Sequence, residues 1–83
     1  MDKEIKMPGF ARRLKELRGE RNLTQRSMAA FLGKTDRHYQ AIEAGEINVP
    51  GLTLIKLADF FQVSIDYLVG RSEERGVFHG KQS

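Results

Sequence analysis

Residues 23–46 read LTQRSMAAFLGKTDRHYQAIEAGE, and the two apolar sets within this stretch are each too short to stand alone. Met28, Ala29 and Leu32 recur at helical spacing behind Thr24, whose hydroxyl can cap a helix, and Gly33 stops them where a left-handed backbone is needed. Thr35 caps a second run that reaches about Ala44, and Gly45 ends it in the same way. Each run makes about two turns, and isolated helices of that length are unstable in water. The pair must therefore be a unit braced by the rest of the chain.

The bracing elements lie on either side. Phe10, Leu14 and Leu17 recur at i, i+4 and i+7 with Arg and Lys between them, which predicts a basic amphipathic helix from Phe10 to about Arg21, with Pro8 and Gly9 marking its start. Residues 46–51, EINVPG, are punctuated by Asn48 and Pro50 and read as a loop. From about Leu52 to Phe61, a broad apolar face of Leu54, Ile55, Leu57, Ala58 and Phe61 predicts the helix that contributes most to the core. Ser64 caps a last turn in which Ile65, Leu68 and Val69 close the core before Gly70 ends it. Residues 71–83 show no periodicity and are expected to fray, apart from the apolar pair Val77 and Phe78. The pass along the chain finds no strand, repeat or low-complexity tract. The expected division is an N-terminal arm over 1–9, a folded domain over 10–70 and a tail over 71–83.

With 83 residues, no cysteine and no tryptophan, the chain fits one small domain held by helix packing, without disulfides or a thiolate metal site. A domain of this size buries only about 60% of the surface its unfolded chain exposes, so single core substitutions should be felt strongly. No apolar run approaches the roughly 20 residues needed to cross a bilayer. The start, MDKEIKMPGF, has no signal-peptide core, so the cytoplasm is the expected compartment and no membrane partner is expected. The net charge of +3 is unevenly placed: residues 1–45 hold ten Lys/Arg against six Asp/Glu, whereas residues 46–83 hold four against five. A basic half suits a polyanionic partner, although a solvated helical surface would carry the same charge.

On a helical wheel, the run after Thr35 turns Tyr39 and Ile42 inward, with Thr35 and Glu43 flanking them. Arg37, Gln40, Ala41 and Ala44 face out, while Asp36 and His38 lie at the sides. That outward face is narrow and has hydrogen-bonding groups at its leading end, and the major groove of B-DNA admits a helix of this kind.

Gln25, Ala29, Gly33, Ile42, the run IEAG (42–45), Pro50 and LIKLADFFQVSIDYLVG (54–70) together resemble the helix-turn-helix domain of the phage repressor and Cro type, the XRE family. The resemblance spans about Phe10 to Gly70, in register through every turn. It implies an all-α, five-helix, lambda-repressor-like DNA-binding domain in which the second helix positions the third. It also implies that Asp36, Arg37 and Ala41 contact base edges, with Gln40 added by its outward placement. Arg37 suits guanine, to which a guanidinium donates two bonds, or it contacts phosphate alone. Asp36 departs from the family's usual neutral or basic residue; it either accepts from cytosine N4 or favours the helix N-terminus electrostatically.

Phosphate contacts are implied for Gln25, with Arg26, Lys34, Thr35 and His38 as neighbours, and for the backbone near Asn48 and Gly51. The second of these clamps carries Glu46 and no Lys or Arg, a departure that weakens it. The family pairs an arginine with a glutamate at the positions of Arg18 and Glu43, and a structural ion pair between helices one and three is expected there. Tyr39 stands where a β-branched aliphatic is usual, so its hydroxyl needs a partner.

The resulting expectation is a transcriptional regulator, a repressor acting as a homodimer on a short palindrome of double-stranded DNA. Dimerisation is expected through helix five and nearby loops, where Phe60, Val63, Tyr67 and Val69 exceed what the core needs, with the tail either extending that contact or disordered. No span is left for an effector domain, so control through concentration, a partner protein or degradation is expected. The competing reading is a protein-binding antitoxin or adaptor on the same fold, with Val77 and Phe78 folding on contact. Enzymatic activity is not expected: His38 and His79 lack metal-ligand spacing, no glycine-rich phosphate loop follows a strand, and no catalytic residue, metal or cofactor is assigned.

Overall fold

Five α-helices follow one another in the computed structural model, which describes residues 7–76: α1 (Pro8–Glu20), α2 (Gln25–Leu32), α3 (Asp36–Glu43), α4 (Gly51–Phe61) and α5 (Ile65–Leu68). No strand occurs among the described residues. Helix α1 starts two residues earlier than the apolar stripe indicates, because Pro8 occupies the first helical turn, where its missing N–H costs nothing. Three helices begin in the same way. The hydroxyls of Thr24, Thr35 and Ser64 accept the backbone N–H groups of Ser27, His38 and Tyr67, each at 3.0 Å.

Helix α2 packs on α3, α1 on both α3 and α5, and α4 on α5. Leu14, Tyr39, Leu57 and Leu68 are fully buried where these faces meet, with Phe10, Leu17, Met28, Ala29 and Ile42 around them. Gly33 closes α2 with φ 69° and ψ 34°, a left-handed conformation that a side chain would strain. At the other end of the fold, Gly9 and Gly70 meet back to back. A Cβ on Gly70 would lie 2.9 Å from Gly9 Cα, so α1 and the end of α5 approach as closely as their backbones allow.

Three expectations are corrected. Ile55 and Ile65 do not face the core: they are 44% and 41% exposed. The inward stripe of α4 is Leu54, Leu57, Ala58 and Phe61, and Ile55 lies about 60° beyond its Ala58 edge. Val63 and Tyr67, expected as surplus apolar surface, are instead buried. The segment after α4 turns through Gln62, at φ 57°, and drops Val63 into the core.

Residues 71–76, finally, do not fray. The Arg13 guanidinium, on a residue only 3% exposed, donates to the Tyr67 carbonyl at 3.0 Å and the Ser72 carbonyl at 3.2 Å, and reaches Glu73 at 3.3 Å. Arg75 binds Glu20 with both terminal nitrogens, and its carbonyl accepts from Ser64 N at 2.8 Å. These contacts strap 71–76 across α1 and the start of α5. Val77 and Phe78 lie outside the described residues.

Candidate nucleic-acid interface

Glu43 holds the helix pair in place. Its carboxylate is almost fully buried, and buried carboxylates must be hydrogen-bonded. Arg18 supplies two bonds, from Nε at 2.7 Å and Nη2 at 3.0 Å. Tyr39, one turn back on α3, donates its hydroxyl at 2.8 Å, and Gln25 at the start of α2 donates its amide at 2.9 Å. Arg18 also donates Nη1 to the Leu23 carbonyl at 2.7 Å, so one guanidinium joins α1, the turn before α2, and α3.

Burial pushes the Glu43 pKa up, but the hydrogen bonds from Arg18, Tyr39 and Gln25 together outweigh it and hold the carboxyl below the usual range. Burial first, and the hydrogen bond to Glu43 second, push the Tyr39 phenol upward, so it stays a neutral donor. The bond to Glu43 raises Arg18 further above its ordinary value.

On that brace, α3 presents Asp36, Arg37, Gln40 and Ala44 to solvent, with Ala41 half-buried between them. Lys34, Thr35 and His38 are exposed at its leading end. The Thr35 oxygen accepts the His38 N–H, which leaves its hydroxyl proton free to donate. Asp36 lies 3.4 Å from Arg26 on α2, so two side chains expected on DNA neutralise each other on the surface.

Gln25 departs further from expectation. One of its amide hydrogens belongs to Glu43 and is not available to a phosphate, because a buried carboxylate takes the donors within reach. Asn48, in the loop before α4, and Gly51, the first residue of α4, are exposed, and Pro50 leaves the helix without a side-chain cap. The Thr53 and Leu54 N–H groups donate to the Pro50 carbonyl at 3.0 and 3.1 Å, and no side chain caps the turn ahead of them.

Sequence reasoning missed Arg13 and the third and fourth donors to Glu43. Arg13 falls on the same stripe as Phe10, Leu14 and Leu17, a signal that was present but belongs to a residue type normally assigned to solvent. Among the described residues no group of three or more metal-ligating side chains comes together, and no helix is long and apolar enough to cross a membrane.

The helix-turn-helix family profile matches residues 14–68, which include all of α2 and α3 and the Glu43 brace. The chain belongs to the XRE-type helix-turn-helix family. Two helix-turn-helix relatives come from Bacillus subtilis (strain 168). One is the uncharacterized HTH-type transcriptional regulator YqaE, 40% identical over 67 residues, covering 80% of this chain and 58% of the relative. The other is the SPbeta prophage-derived uncharacterized HTH-type transcriptional regulator YonR, 38% identical over 60 residues, covering 72% and 56%. The chain thus aligns with somewhat over half the length of these helix-turn-helix proteins. No solved structure matches it.

Proposed function

We propose that this chain is a sequence-specific double-stranded DNA-binding transcriptional regulator, a cytoplasmic repressor that acts as a homodimer on a short palindromic site. The observation that carries the reading is the exposed face of α3. Arg37, Gln40, Ala41 and Ala44 stand on a helix whose opposite side is fixed by the four hydrogen bonds to Glu43. A rigid helix with donors, acceptors and small residues outward can enter the major groove.

In this reading Arg37 donates to guanine O6 and N7, Gln40 and Ala41 read neighbouring bases, and Asp36 orients Arg26 or accepts from cytosine. Lys34, Thr35 and His38 contact phosphate on one side, together with the backbone N–H groups at the start of α2 beside Gln25 and Arg26. Those near Asn48 and Gly51 do so on the other side. The DNA-reading unit is residues 10–70, with the strap over 71–76 as part of its fold. Self-association is supported by Leu52, Ile55 and Ile65, which are 82%, 44% and 41% exposed. Leu52 and Ile55, three residues apart on α4, are neighbours on one face of that helix, and contiguous apolar surface open to water marks an interaction site.

The test is a fluorescence-anisotropy titration of wild type and Arg37→Ala against duplexes selected from a random pool, at two salt concentrations. Convergence on a palindrome, with Arg37→Ala weakening it by about 1–3 kcal/mol and relaxing one position in each half-site, is the expected result. Weak, wholly salt-driven binding with no enriched sequence would favour the protein-binding adaptor instead.

A further inference from the structure

Phe31 at the end of α2 and Phe60 near the end of α4 stack with ring centroids 4.5 Å apart, and Phe60 meets the buried Phe61 edge-on at 4.9 Å. The stack therefore runs from the core out to a half-buried pair at the surface. Two exposed cations are held on it. The Lys56 ammonium lies 4.9 Å from the centre of the Phe31 ring. The Arg21 guanidinium lies 5.2 Å and 5.1 Å from the centres of Phe60 and Phe61, and donates Nη1 to the Phe60 carbonyl at 3.0 Å.

Neither cation pairs with a carboxylate among the described residues, whereas Arg12, Arg13 and Arg18 on α1 pair with Glu16, Glu73 and Glu43. Of the acids closest in sequence, Glu20 is taken by Arg75. Asp59 lies about 60° round α4 from Lys56, on the side away from Phe60. Leu52 and Ile55 are on that same side, so the aromatic face is separate from the exposed apolar pair described above.

A ring's face is electronegative and its edge electropositive, so rings whose faces hold cations leave edges that also favour an anion. A lysine or arginine normally loses rotamer freedom on binding, but here the rings and the Phe60 carbonyl have already restricted both side chains. The face is a preorganised cationic rim around an apolar floor.

We infer that this face docks a protein partner through a short acidic segment carrying a large apolar side chain. The apolar group sits against the edges of Phe31 and Phe60, and the flanking carboxylates bond Arg21 and Lys56. A bare polyanion would satisfy the cations and leave the rings without a contact, so a nucleic-acid strand is the poorer occupant. None of these four residues is assigned to DNA above, and the inference stands independently of that reading.

The experiment selects a displayed random dodecapeptide library on the wild-type chain and measures the enriched peptides by fluorescence anisotropy at two salt concentrations. Expected are peptides with an aromatic or large aliphatic residue flanked by Asp or Glu, binding more weakly as salt rises. Their amide shift changes in NMR should centre on Phe31, Lys56 and Phe60. Lys56→Gln together with Arg21→Gln should weaken these peptides by about fivefold, with duplex affinity and circular dichroism unchanged. Should the double variant unfold, Lys56→Gln alone removes a charge whose contact is the Phe31 ring, and should still weaken them.

No enrichment, enriched peptides without acidic residues, or shift changes confined to α3 or to Leu52 and Ile55 overturns the inference. Tighter binding of single-stranded oligothymidylate at Phe31 and Phe60 would overturn it in favour of a nucleic-acid platform. Each of these outcomes leaves the reading of α3 intact.

Discussion

The Glu43 carboxylate accepts four hydrogen bonds from three side chains on three different parts of the chain. Removing its charge leaves the Arg18 guanidinium without its partner, which costs about 3–5 kcal/mol where such a pair is buried. Its folded-state pKa lies below that of an unfolded glutamate. The stability it supplies is therefore complete above about pH 4.3, the unfolded value. It is lost as pH falls through the lowered native pKa. Urea unfolding of wild type should weaken steadily from pH 5 towards pH 3. Glu43→Gln should start lower at neutral pH and decline less steeply, and parallel pH profiles for the two proteins would remove Glu43 from the acid response. Tyr39 belongs to the same group: its hydroxyl finds its partner one turn along its own helix, which is how a phenol is accommodated at an inward position that an aliphatic side chain would fill without a partner.

At the scale of the elements, what ends a helix differs from one to the next. Helix α4 closes on Gln62 at φ 57° and ψ 47°, where a side chain costs about 1–2 kcal/mol in the left-handed region. Because glycine gains unfolded-state freedom, Gln62→Gly should return only part of this, raising stability by about 0.5–1 kcal/mol in urea melts. Gly33 and Gly70 are left-handed too, but their surroundings differ. A Cβ on Gly33 meets nothing within 4 Å, whereas one on Gly70 runs into Gly9. Gly33→Ala should therefore cost about 1 kcal/mol through backbone strain alone. Gly70→Ala must also push α1 and α5 apart, for a total of about 2–4 kcal/mol. Equal losses at the two positions would mean that the close approach contributes nothing.

Across the whole molecule, the strap over 71–76 extends the fold beyond the stretch matched by the family profile. Ending the chain after Gly70 removes the Ser72 and Glu73 partners of Arg13 and the Arg75 acceptor of Ser64 N. Donors stripped of partners in this way cost about 1–3 kcal/mol each when buried, so the truncated chain should lose about 2–3 kcal/mol in urea melts. Unchanged stability would return 71–76 to the status of a tail. Charge on the exposed apolar surface tests self-association: Leu52→Glu together with Ile55→Glu should convert a dimer to monomer in sedimentation velocity at micromolar concentration without unfolding it. A wild type that sediments as a monomer with and without its duplex would remove the homodimer from the proposed function.

Helix identity and order were legible because they are local: cap hydroxyls at Thr24, Thr35 and Ser64, a left-handed glycine at 33, and apolar spacing that repeats every turn. The outward placement of Arg37, Gln40 and Ala44 followed from the same periodicity. Tertiary structure alone decided what depends on distances between segments far apart in the chain. Ile55 and Ile65 are as apolar as any core residue, yet the stripe beside them fills the available contact. Arg13 is as polar as its exposed neighbours, yet the carbonyls of Tyr67 and Ser72 surround it. The same holds for Gln25, one of whose two amide hydrogens goes to Glu43 once packing brings that buried carboxylate within hydrogen-bonding distance. Periodicity assigns each residue to a face of its own helix, and the packing of the other helices decides whether that face meets protein or water.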